Sequence, residues 1–204
     1  MSAASDVGLM IYGSGDFCGI PWEVVIKEYR KRIEKNTLGK IREYVDDFLN
    51  FLDEFQLPNQ DGVDAHNYSL FLDLLRECAA DMVAKKALDK RKQFIGAVEE
   101  RLAQAEEAEV FLEGFSRNSF MKKFSKNIRG LMEEVLKTHI TNQMHSKFCT
   151  LCFEALRREI DTEISTGVVF AGYGGDELLP VIIECSVDGK VQNIARSWIR
   201  RIRD

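Results

Sequence analysis

The residues best placed for metal chemistry are His145, Cys149 and Cys152, which fall at i, i+4 and i+7. On a helix that spacing puts an imidazole and two thiols on one face, three of the four ligands zinc takes. No second Cys-x-x-Cys pair exists, and no fourth ligand is evident. Phe148 and Leu151 mark the same stripe as core-facing, where free cysteines are common. A redox role fits less well, because such a motif normally opens a helix after a strand. A second candidate is the basic run from Arg117 to Arg129, with Phe120 and Phe124 between the charges, a phosphate- or RNA-binding pattern. It also reads as a solvated helix face paired to the glutamates that precede it, and those neighbours favour this second reading. Gly172-Tyr-Gly-Gly175 has the glycines of a phosphate loop but neither its spacing nor a following helix. No Ser/His/Asp or Cys/His set assembles from spacing. His66, His139 and His145 sit in helical or loop-edge contexts where a surface position is the default. No motif calls for a cofactor.

Composition narrows the class. The chain has 204 residues, 45% hydrophobic and 30% charged, enough for a proper core and too apolar for a disordered chain. A net charge of -5 argues against nucleic acid as the main partner. Five scattered cysteines (Cys18, Cys78, Cys149, Cys152, Cys185) read as reduced thiols of a cytoplasmic protein rather than a disulfide framework. No apolar run is long enough for a membrane span, and the N-terminus lacks the basic start of a secretory signal.

Most of the chain carries helical periodicity. Pro21 suits the first turn of a helix whose face is Trp22, Val25, Ile26, Tyr29 and Ile33. Asn36-Thr37 breaks it, and Thr37 is a possible cap for a second helix with Ile41, Tyr44, Val45, Phe48, Leu49 and Leu52, which stops near Leu57-Pro58. After the polar loop from Asn59, Asp64 is a plausible cap for a long pattern. Its apolar face runs through Phe71, Leu74, Leu75, Cys78 and Met82 and continues at Ile95, Val98, Leu102 and Ala105. A second pattern, from Phe120 through Leu136 to Ile160, makes it the partner arm of a long hairpin turning at Ser116 to Ser119. In an antiparallel hairpin the acidic cluster (Glu99, Glu100, Glu106, Glu107, Glu109, Glu113) faces the basic one (Arg117, Lys122, Lys123, Lys126, Arg129).

Strand signals lie at the two ends. Val7 to Tyr12 is a short apolar run before Gly13-Ser14-Gly15-Asp16. Val168 to Ala171 is β-branched and aromatic, and Pro180 to Val187 alternates with period two, with Asp188-Gly189 read as a hairpin turn. The basic end, Val191 to Asp204, places Ile194, Trp198 and Ile202 at i, i+4 and i+8 and reads as a short docking helix. The expected fold is α+β and predominantly helical. It has strand-turn-helix structure over 1–57, a helical hairpin over 64–165, and a β-hairpin plus basic helix over 166–204.

The two strand regions together resemble proteasome-β-like N-terminal-nucleophile hydrolases. Phe170-Ala-Gly-Tyr173, Pro180 and Val187-Asp-Gly189 are similar to that family's strand, turn and second-strand hairpin, and Val7 to Tyr29 to the strand, glycine turn and helix before it. Bacterial members of uncharacterised role share the YG…GxPWE…I…YRK pattern found here at Tyr12, Gly19, Pro21 to Glu23, Ile26 and Tyr29 to Lys31. The match covers about a quarter of the chain, in the family's order. It implies a four-layer α-β-β-α sandwich with a helical insertion. It also implies a nucleophile at a freed N-terminal Thr, Ser or Cys, and an oxyanion N–H at the position of Gly13. The nucleophile strand and its lysine have no counterpart in Met1 to Asp6. The expectation is therefore a truncated or catalytically inactive relative, an interaction module with a protein partner or a second copy. The alternatives are a helical scaffold whose terminal strands cap a hairpin, and an active peptidase if the natural chain extends upstream. In the first of these readings Ser2 is the residue whose replacement separates live from dead.

Overall fold

The computed structural model describes residues 7–33, 37–58, 60–84, 90–160 and 164–203. Ser2, Asn36, Asn59 and the side chain of Met82 lie outside what is described. The fold is mixed α and β, with six helices and a four-stranded antiparallel sheet among the described residues. It divides into two units, one of residues 1–67 with 161–204 and one of residues 68–160.

The first unit holds the sheet. Strand β1 (Val7–Gly13) leads into a two-stranded ribbon of β2 (Asp16–Phe17) and β3 (Ile20–Pro21). Cys18 and Gly19 turn that ribbon at φ 52° and 82°, and Asp16 Oδ1 accepts the Gly19 N–H at 2.6 Å. Helices α1 (Trp22–Ile33) and α2 (Ile41–Glu54) follow, then the start of α3 (Asp61–Ala84). The chain returns as β4 (Thr166–Gly172), β5 (Val181–Val191) and β6 (Ile194–Arg203), in the sheet order β1-β4-β5-β6.

Alternation puts Val7, Leu9, Ile11, Val168, Phe170, Ile183, Cys185 and Val187 on the face that α1 and α2 cover. Their core is aromatic: Phe48 meets Tyr29 edge-on at 4.9 Å between centroids and Phe170 at 5.4 Å. The start of α2 is capped at Lys40 rather than Thr37. Glu43 accepts the Gly39 and Lys40 N–H groups at 2.9 and 3.3 Å, so the acid one turn inside the helix does the work expected of a threonine before it. Helix α3 begins at Asp61, leaving Asp64 in its first turn.

Two readings of the last forty residues are corrected. Val191 to Asp204 is not a helix: Ile194 to Arg203 forms edge strand β6. A spacing of four is even, so Ile194, Trp198 and Ile202 satisfy a two-residue period as well as a helical one, and pairing with β5 decides between them. Asp188-Gly189 is not the hairpin turn. Strand β5 runs on to Val191, Gln192-Asn193 turns the chain with Gln192 at φ 58°, and Asp188-Gly189 sits at a register shift inside the strand with Gly189 at φ 70°.

The second unit holds the rest of α3 with α4 (Lys90–Glu106), α5 (Arg117–Leu136) and α6 (Asn142–Arg157). The two long arms expected from periodicity are thus four helices. Helix α6 packs along α4 and also against α5. Lys137 in the left-handed region at φ 46° ends α5, and Thr141, accepting the Met144 N–H, caps α6. Stacked and edge-on phenylalanines (Phe71, Phe115, Phe120, Phe124, Phe153) fill this unit's core.

Candidate functional site

The most heavily charged buried cluster stands on the β5 bulge. Asp188 and Arg196 are both fully buried and ion-paired across β5 and β6. His66, from the second turn of α3, places Nε2 3.1 Å from Asp188 Oδ1. Its ring lies where a side chain at residue 189 would be: a Cβ on Gly189 would sit 2.4 Å from His66 Cδ2. The glycine therefore serves the histidine as well as the bulge. His66 is not the surface residue its sequence context suggests. Burial, reinforced by the Arg196 cation, lowers its pKa to about 4, with Asp16 opposing. Asp188 does not reverse this direction because its charge is already matched by Arg196. Next to it, Lys190 Nζ donates to the Asp53 and Phe55 carbonyls at 2.9 and 3.0 Å, closing the end of α2. Asn67 Nδ2 donates to the Lys190 carbonyl at 3.2 Å.

Cys18 is the thiol near this cluster, 3% exposed, and burial pushes it up to about 11. A thiol raised by burial and an imidazole of lowered basicity, with its Nε2 already bonded to Asp188, are poorly matched as nucleophile and base. A cleft of about 240 Å³ opens beside Lys190, lined also by Asp53, Phe55, Leu57, Val63 and Asn193. The ammonium it borders is committed to backbone carbonyls. The cluster holds α2, α3 and β5 together.

The residues singled out from sequence take the following places. Gly13 ends β1 at φ 92°, and a Cβ there would meet the Ser165 carbonyl oxygen at 2.5 Å. Close passage of β4 accounts for glycine at that position. His145, Cys149 and Cys152 do share α6, and all three are buried. His145 is therefore also not a surface residue. Its Nε2 lies 2.9 Å from the Ser125 carbonyl and 3.3 Å from Cys149 Sγ, while burial pushes the Cys149 thiol up to about 11 and Cys152 well above its ordinary value. Among the described residues, no group of three or more His, Cys, Asp or Glu is arranged to hold a metal ion. His139 is exposed.

In the basic run, Arg117 donates to Thr150 at 2.8 Å and Arg129 to the Ile140 carbonyl at 3.3 Å. On the acidic arm Glu99 pairs with Lys147 at 2.9 Å. These contacts tie α4 and α5 to α6. The glycine turn after β4 docks on the start of α2: Gly175 and Asp176 donate to the Leu38 and Gly39 carbonyls, both at 2.9 Å. Glu177 Oε2 accepts from Gly174 at 2.7 Å and from Ile41 at 3.0 Å. The protein's own carboxylate fills the anion position at that helix N-terminus.

The other face of the sheet is exposed in part, with Ser186 and Trp198 on it buried. Gly8, Met10 and Tyr12 of β1 register with Ala171, Val169 and Gly167 of β4, and these with Ile182, Glu184 and Ser186 of β5. Met10 is 60% exposed, Tyr12 44% and Ile182 43%. A polar belt crosses this face. Tyr12 donates its hydroxyl to Glu184, and Arg200 donates to the Tyr12 oxygen at 3.1 Å. The carboxylate raises the Tyr12 pKa, and the same bond holds Glu184 below its usual range. Leu178 and Leu179, in the loop before β5, are exposed beside their own turn. The apolar run of β1 is visible in the sequence, but its position at a sheet edge is not, so this surface could not be read in advance. No described helix is long and apolar enough to cross a membrane. Comparison of the chain with family models, with curated proteins and with solved structures returned no match.

Proposed function

We propose that this chain is a proteasome-like N-terminal-nucleophile hydrolase relative that works as a self-associating interaction module rather than as a hydrolase. The observation that carries the reading is the exposed apolar side chains Met10 and Tyr12 on β1, an edge strand of the sheet. Support for the family comes from the element order, a strand, a small ribbon, helices and then three strands, and from β1 and β4 pairing in one sheet. That pairing weighs against a helical scaffold whose ends are separate. The raised Cys18 and Cys149 thiols and the lowered basicity of His66 weigh against thiol and imidazole chemistry at these positions.

Sedimentation of the full chain from low micromolar to near-millimolar concentration tests the association. A mass that climbs from 23.3 kDa toward twice that value is expected. A strict monomer throughout contradicts it. Hydrolysis of fluorogenic peptides that disappears on Ser2→Ala would overturn the non-catalytic part.

A further inference from the structure

We propose that the interface is the free edge of β1, paired antiparallel with the β1 of a second copy to make one continuous eight-stranded sheet. The inference rests on the self-association reading and assigns it a surface.

The sheet has two edges, and they are built differently. Strand β6 carries Arg196, Arg200, Arg201 and Arg203, with Arg201 and Arg203 exposed. Charged side chains of this kind are how proteins keep an edge from pairing, and two such strands would repel each other. Strand β1 reads Val-Gly-Leu-Met-Ile-Tyr-Gly, with no charge, no proline and no bulge against β4. Among the described residues it pairs with β4 alone. Of the two edges, only this one meets its own copy without like charges in contact.

Both faces of the strand have apolar surface left to cover. Val7, Leu9 and Ile11 point to the core yet are only half-buried, because they form its rim, and Met10 stands on the outer face. A two-fold axis at Met10 pairs Met10 with itself, Leu9 with the second copy's Ile11, and Gly8 with the second copy's Tyr12. Tyr12 lies over Gly167 of its own chain, so the last pair brings no bulky ring into the seam. The seam extends the rim of one core into the other and makes an isologous interface.

The test uses the full chain with Met10→Cys, since all five native cysteines are buried. Mild oxidation is expected to give a covalent dimer of twice 23.3 kDa, because residues facing each other across a two-fold strand pair lie within disulfide reach. Ile202→Cys, 49% exposed on the other edge, is expected to stay uncrosslinked. Met10→Lys, which sets two cations face to face, is expected to weaken association about tenfold or more. A wild-type chain that is monomeric at every concentration overturns both this inference and the reading beneath it. A dimer that ignores Met10→Lys, or crosslinks through Ile202→Cys and not Met10→Cys, overturns the β1 assignment and leaves self-association standing.

Discussion

Tyr12, on edge strand β1, reaches over Gly167 of β4 to donate its hydroxyl to Glu184 of β5. A Cβ at residue 167 would stand 2.0 Å from the tyrosine ring, so the absence of one side chain lets another cross a whole strand. Arg200 of β6 completes the belt, and three polar side chains tie β1, β5 and β6 together across β4.

Tyr12→Phe therefore has a spectroscopic consequence larger than its energetic one. The Glu184 carboxyl, held low first by the tyrosine bond and then by arginines, is expected to titrate closer to its ordinary value in the variant. Because the belt is exposed, the stability change is expected to stay below about 1 kcal/mol. Carboxyl NMR titration reads the first and denaturant unfolding the second. An unmoved Glu184 would contradict the contact.

Gly13→Ala is expected to destabilise the fold by about 2 kcal/mol or more, since φ 92° and a backbone oxygen at 2.5 Å both oppose a Cβ. Loss of any activity in this variant would therefore report unfolding as readily as an oxyanion role. Thermal melts of Gly13→Ala beside wild type decide it, and an unchanged midpoint would contradict the close packing.

His66 gives stability a pH dependence of known sign. With a folded pKa of about 4 set chiefly by burial, against about 6.5 unfolded, the unfolded chain binds the proton between these values and the folded protein does not. The contribution is full above about pH 6.5 and is lost as pH falls toward 4, with a slope of at most about 1.4 kcal/mol per pH unit. His66→Gln is expected to flatten this segment of the stability curve. Parallel curves for the two proteins would contradict the burial of His66.

The Asp188–Arg196 pair is fully buried, so removing one partner strands a charge. Arg196→Met is expected to cost about 3–5 kcal/mol, with Arg196→Lys recovering part of it. Urea unfolding measures both, and a loss under about 1 kcal/mol for Arg196→Met would contradict the burial of an unmatched Asp188.

Much of the fold was legible in the chain. Short apolar runs marked β1 and β4, period-two alternation marked the first half of β5, and helical spacing marked the faces of α1, α2, α5 and α6. What failed did so for local reasons. Ile194, Trp198 and Ile202 fit both periods, and only pairing with β5 makes them a strand. Asp188-Gly189 has turn chemistry, yet its positive φ serves a bulge that admits His66 from a residue more than a hundred positions away. The cluster of Asp188, Lys190 and Arg196 with His66 was invisible because His66 comes from a distant part of the sequence and the four form no motif. The open edge of β1 was equally hidden, since an edge is defined by strands that are not there to be read.

Amide hydrogen exchange along Val7–Gly13 as a function of protein concentration tests β1 self-pairing most directly. The amides that point away from β4 are unbonded in a monomer and become ladder bonds in the paired sheet. Self-pairing predicts that these alternate amides slow as concentration rises and stay fast in Met10→Lys, while the amides bonded to β4 exchange at the same rate throughout. Equal, concentration-independent exchange of both sets in the wild-type chain would contradict it.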